Sequence, residues 1–194
     1  MKYKMTDEII NVNGYILHRI EALTDIPAIG VTTGDKGGFI ESEDNLSQGG
    51  NCWVEDDVQV SGKARVFDNA KVCGNAQVSG NAQVYKDAIA SGKASVSDNA
   101  QVFGSAWVCD DVHICGNAKV YGNAWMTGKV QMYDNARVSG DARVSGNAKV
   151  HGFAYVAGNA HVSGDAVVSG VAQVSGDAVV SGTTKLLGES GESA

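Results

Sequence analysis

Three of the four histidines and all four cysteines of this chain sit where they could do chemistry. His113, His151 and His161 are candidate general bases, a role that needs a proton donor within hydrogen-bond reach and a partner that orients the ring. The sequence places no such partner beside any of them, and side chains in variable surface slots are the plainer expectation. Cys52, Cys73, Cys109 and Cys115 are candidate nucleophiles or cross-links. Whether any of these groups can meet depends on the frame that carries them.

That frame is a repeat. From Cys52 to Leu186 a small residue, a surface residue, an aliphatic residue and three turn residues recur without an insertion. Ala76-Gln77-Val78-Ser79-Gly80-Asn81 and Ala142-Arg143-Val144-Ser145-Gly146-Asn147 are clean copies. The aliphatic slot runs from Val54 to Leu186 in twenty-three copies, varied at Ala90, Ile114, Met126 and Met132. In Ala-x-Val the two apolar residues point to one side of a short strand and the middle residue to the other. The Gly, Asn and Asp that follow tolerate the positive φ of a tight turn. A hexapeptide period of this kind predicts a parallel β-helix, three strands and three turns to a triangular coil of eighteen residues. Between seven and eight coils, at ~4.8 Å each, make a prism roughly 37 Å long.

In this frame residues eighteen apart lie directly above one another. His113 and His151 fall on one face two coils apart, with Tyr133 in the coil between, about 10 Å by coil spacing. They are too far apart to share a zinc with ~2 Å bonds, so no metal is expected. Cys73 and Cys109 are also two coils apart, beyond disulfide reach, and Cys52 takes an inward slot. Free thiols in a reducing compartment are expected.

Two outward columns stand out. Trp53, Lys71, Ile89, Trp107, Trp125, Arg143, His161 and Val179 stack on one face, which thereby holds all three tryptophans. Phe67, Tyr85, Phe103 and Tyr121 stack on another. Trp53, Ile89, Trp107 and Trp125 predict an interface, because exposed tryptophan beside aliphatic side chains favours a covered surface. Self-association, a partner or ligand, and simple surface packing all remain open for it. Intrachain stacking accounts for the Phe67–Tyr121 ladder at least as well as a binding role does. Both stripes fade after residue 125, so the N-terminal half is expected to be the interacting half.

Residues 1–50 differ in kind. Ile9 to Leu17 reads as two strands around an Asn13-Gly14 turn, Thr24 to Gly38 as loop, and Gly37-Gly38-Phe39-Ile40 as a return to extended structure. Leu46 is out of phase with Val54, so the repeat is expected over 51–187, with 1–50 as a cap over the first coil's open edge. Residues 188–194 read as a disordered acidic tail. The net charge of −7 divides into −4 over the first fifty residues, −1 over the repeat and −2 in the tail. No basic stripe suits nucleic acid, no run is long and apolar enough for a membrane span, and the polar start lacks a leader's apolar core. A cytoplasmic protein is expected.

The repeat phase resembles the left-handed hexapeptide-repeat superfamily. Left-handed coiling is what that implies, with a right-handed triangular helix as the alternative. The cap narrows the match. Tyr15 to Asp25, Gly37 to Ser47 and Gly50-Asn51-Cys52-Trp53-Val54 look like the YdcK-like group of bacterial and prophage proteins, some of which carry a transferase label by fold analogy. The resemblance implies that prism faces trimerise. It also offers an acyl-CoA-dependent acyltransferase with a site between subunits, for which His113 is the candidate base. Such enzymes shape their cleft with a loop that breaks the repeat, and none is present here. A carbonic-anhydrase-like metal site would want a closely spaced histidine pair, also absent from the sequence. The expectation is therefore a non-enzymatic, homo-oligomeric scaffold, of phage or bacterial setting, that binds a host protein or a small molecule without a cofactor.

Overall fold

A period of eighteen requires each strand to pair in parallel with the strand one coil on, and it does. Gln101 pairs with Lys119, Trp107 with Trp125 and His113 with Gln131. In the computed structural model, which describes residues 1–188, these pairings build a three-sided parallel β-solenoid of about eight coils. Most strands are two residues long, an outward residue followed by an inward aliphatic one. The inward alanine and valine columns are buried from Cys52 to Val168, with Ile114, Met126 and Met132 widening the core where they replace valine.

The turns repeat as faithfully as the strands. One residue in each hexapeptide adopts the left-handed region, usually glycine; Gly80 has φ 68° and Asp98, directly above it, φ 57°. A Cβ on Gly80 would stand 2.9 Å from the Asp98 backbone nitrogen, so a side chain placed there needs the next coil to shift as well as a left-handed φ. Where aspartate takes the slot, its carboxylate accepts the backbone N–H one coil on: Asp98 from Gly116 at 2.9 Å and Asp134 from Gly152 at 3.0 Å. On this same corner the asparagines that follow Gly80, Asp98, Gly116 and Asp134 form an amide ladder, Asn81 to Asn99, Asn117 and Asn135, at 2.9–3.2 Å.

The cap begins with an antiparallel hairpin, β1 (Tyr3–Val12) and β2 (Tyr15–Ala22). Its turn residues Asn13 and Gly14 both have positive φ, 52° and 90°, as the Asn-Gly pair predicts. The third strand, β3 (Lys36–Ile40), pairs antiparallel with β2 and parallel with Gln59–Val60. Leu46 bridges Val66 in the same parallel sense. Ile40 and Leu46 thus already form two sides of a coil, offset from the next by twenty residues rather than eighteen, so the coiled path starts on the cap side of Asn51. Gly37 and Gly38 have no room for side chains: a Cβ would lie 2.6 Å from the Val54 carbonyl at Gly37 and 2.8 Å from that of Val58 at Gly38. At the far end Lys185–Gly188 is a strand paired with Val167–Gly170, so Gly188 belongs to the solenoid. The rest of the expected acidic tail lies outside the described residues.

Candidate functional site

The face built on Trp53–Val54, Lys71–Val72 and their successors is an eight-stranded parallel sheet. Trp107 and Trp125, in register on adjacent coils, stack at 5.5 Å with planes 10° apart. Packing against each other does not hide them, and they remain 45% and 42% exposed. The Arg143 guanidinium lies 5.9 Å from the Trp125 ring. Beyond it a groove of about 360 Å³ is bounded by Trp125, Arg143, His161 and Val179. Val179 is 69% exposed. The apolar surface therefore continues past residue 125 and does not fade there as the column's residue types predict.

Trp53 does not belong to this surface. The spacing rightly puts its side chain outside the coil, but the cap covers it and it is 1% exposed. Tyr3 meets it edge-on at 6.4 Å, and the Tyr3 hydroxyl donates to the Leu46 carbonyl at 2.7 Å. Burial, then the nearby Glu43, pushes the Tyr3 phenol well above its usual range. Lys2 completes the seal, its ammonium donating to the Cys52 carbonyl at 2.8 Å. Alternation along a strand says nothing about what another segment lays over it; the signal was the position of Trp53 in the first regular coil, where a cap must sit. Ile89 is half-buried, leaving Trp107 and Trp125 as the centre of the exposed stripe.

The ladder face is as the spacing required. Phe67, Tyr85, Phe103 and Tyr121 stack at 4.8, 4.9 and 5.0 Å with planes within 10° of parallel, each half-buried. Their ring faces are taken up by one another, which leaves mainly edges for any partner. The ladder stops at the small Ser139, and Tyr155 reaches back from the next coil, its hydroxyl 2.9 Å from that of Ser139. The Ser139 hydroxyl and then that of Tyr121 hold the Tyr155 phenol below its ordinary range, while burial, then Tyr155, raises that of Tyr121.

The histidines are scattered. His113 is exposed on the face that carries the cap, paired in register with Gln131. His151 stacks on Tyr133 at 4.7 Å, so Tyr133 partners His151 and not His113. His161 lines the groove beside Trp125. The four cysteines are free thiols. Burial raises those of Cys52, Cys73 and Cys115, which weakens all three as nucleophiles at neutral pH. Among the described residues no helix is long and apolar enough to cross a membrane.

The YdcK β-solenoid repeat family model matches residues 76–92, 130–146 and 136–152. The last two windows are offset by six residues, one hexapeptide, as the strand register demands. Matches and coil together show that this chain carries YdcK-type β-solenoid repeats. The search of curated proteins found no match.

Proposed function

We propose that this protein is a non-enzymatic interaction scaffold that self-associates, as a trimer, through its tryptophan face. The stacked, exposed Trp107–Trp125 pair carries this reading. Two indoles on a flat sheet face expose a contiguous apolar surface of the kind that interface cores bury. The column that holds them has no carboxylate, and the guanidinium of its Arg143 lies near the Trp125 indole, so the two tryptophans meet no acid of their own column when copies approach. The clefts between copies would then receive a host protein or a small molecule, in the bacterial or phage setting that the cap resembles.

The test is Trp107→Glu, with mass measured by light scattering after gel filtration. The wild type is expected as an oligomer and the variant as a monomer with an unchanged circular dichroism spectrum. A variant that keeps the wild-type mass would contradict the reading.

One observation favours a second reading, an acyl-CoA-dependent transferase with a site between subunits: His161 lines a groove on the face that copies would share. His161, rather than His113, would be its base. Acetyl transfer from acetyl-CoA by the oligomer, lost in His161→Ala at unchanged mass, would support that reading over the scaffold.

A further inference from the structure

Two ladders that flank one face of the prism break on adjacent coils. The aromatic ladder ends at Tyr121 because Ser139 follows it, and the amide ladder on the opposite corner ends at Asn135 because Phe153 follows it. Between them lies an open groove of about 420 Å³ lined by Tyr121, Asn135, Arg137, Phe153, Tyr155 and Gln173. Phe153 is 67% exposed, a large apolar ring that the core does not use. Arg137 is exposed and has no carboxylate within ion-pair distance among the described residues. The carboxylates of the flanking corners are engaged elsewhere: Asp134 accepts from the Gly152 N–H and Asp141 from the Asn123 amide at 2.9 Å. The middle column of this face carries Arg65, Lys119 and Arg137 and no acid, although the chain as a whole is at −7.

We propose that this groove is a binding site for a uronate sugar, either free or as a unit of an acidic glycan. A single unstacked aromatic ring suits the C–H face of a pyranose. The Asn135 and Gln173 amides and the Tyr155 hydroxyl offer the neutral donors and acceptors that sugar hydroxyls need. Arg137 offers a planar fork for one carboxylate. Ser139 holds the Tyr155 hydroxyl in place at 2.9 Å, so part of the site is organised before a ligand arrives. The site lies on a different face from the tryptophans and does not depend on self-association.

The experiment is a titration of the isotope-labelled full chain with sodium glucuronate, a trigalacturonate and neutral glucose, read from backbone amide shifts. Saturable shifts at Arg137, Phe153, Tyr155 and Gln173 with either uronate, and none with glucose at equal concentration, are expected. Response to the trimer alone identifies the glycan as the source; response to both identifies the sugar unit itself. Arg137→Gln is expected to weaken binding by about tenfold, the loss of a charged hydrogen bond. Phe153→Ala is expected to abolish the shifts while leaving the remaining spectrum dispersed, since its ring is outside the core. No shift at these residues with either uronate, equal shifts with glucose, or unchanged binding in both variants would each overturn the proposal.

Discussion

At the scale of single residues, the left-handed slot in each hexapeptide sets how closely coils can stack. Gly140, at φ 68°, has Gly158 above it, and a Cβ there would lie 2.9 Å from the Gly158 nitrogen. Gly140→Ala is therefore expected to cost about 1–2 kcal/mol or more from φ alone, with the contact added, as measured by chemical denaturation. Gly176→Ala has the same φ problem but nothing within 4 Å, so it should cost less. Equal losses at the two positions would show that stacking adds nothing. The slot was legible because Gly, Asn and Asp mark turns; the bonding of Asp98 and Asp134 to the next coil was not, since it depends on how closely the N–H eighteen residues on lies over the carboxylate. Trp53 is the other residue-scale lesson. Its outward direction followed from alternation, but its burial came from Tyr3, fifty residues away in sequence, which no local pattern connects to it.

At the scale of elements, the cap is a hairpin plus one strand joined to the solenoid by few but well-placed contacts. Arg19 lies 4.1 Å above the Phe39 ring and donates to the Gly37 and Asp56 carbonyls, while Glu8 accepts from Lys36 at 2.8 Å and Arg19 at 2.6 Å. Lys36, then Arg19, holds the Glu8 carboxyl below its usual range, and the backbone N–H and hydroxyl of Thr33 do the same for Asp25. A carboxylate with a depressed folded-state pKa contributes its full stability above its unfolded-state value and loses it as pH falls through the lower folded one. The cap is therefore expected to loosen below about pH 4, before the middle coils, where Thr127 and then Gly128 hold Asp110 down. Amide spectra recorded from about pH 5 to about pH 2 would show cap resonances lost first; simultaneous loss along the chain would contradict this. Tyr3→Ala removes the lid on Trp53 and is expected to cost about 3 kcal/mol, by comparison with other buried aromatic truncations. In a Trp107→Phe, Trp125→Phe background the same change should shift Trp53 emission to the red, and an unshifted spectrum would mean that something else shields it. Asn13-Gly14 made the hairpin readable in advance. The twenty-residue first coil was not, because Ile40 and Leu46 fall out of phase with every later valine and only their pairing with Val60 and Val66 reveals them.

At the scale of the whole molecule, a straight prism has three long faces, and they differ. One is extended by the hairpin, one carries the aromatic ladder and the groove at its end, and one presents Trp107 and Trp125 to solvent. The period of six made the prism and its columns readable, and with them the two stripes. What the columns hold in three dimensions was less so. The groove beside Trp125 and the one beside Arg137 arise where a column changes residue type, and a change of type predicts a gap only once neighbouring side chains are placed. On the two proposals made above, the tryptophan face would serve the protein's own copies and the groove beside Arg137 a ligand. The most direct measurement of that division is the native mass of the wild-type chain over a concentration series. A trimer at micromolar protein that gives way to monomer in Trp107→Glu is the expected result, and a wild-type monomer at every concentration would contradict the account.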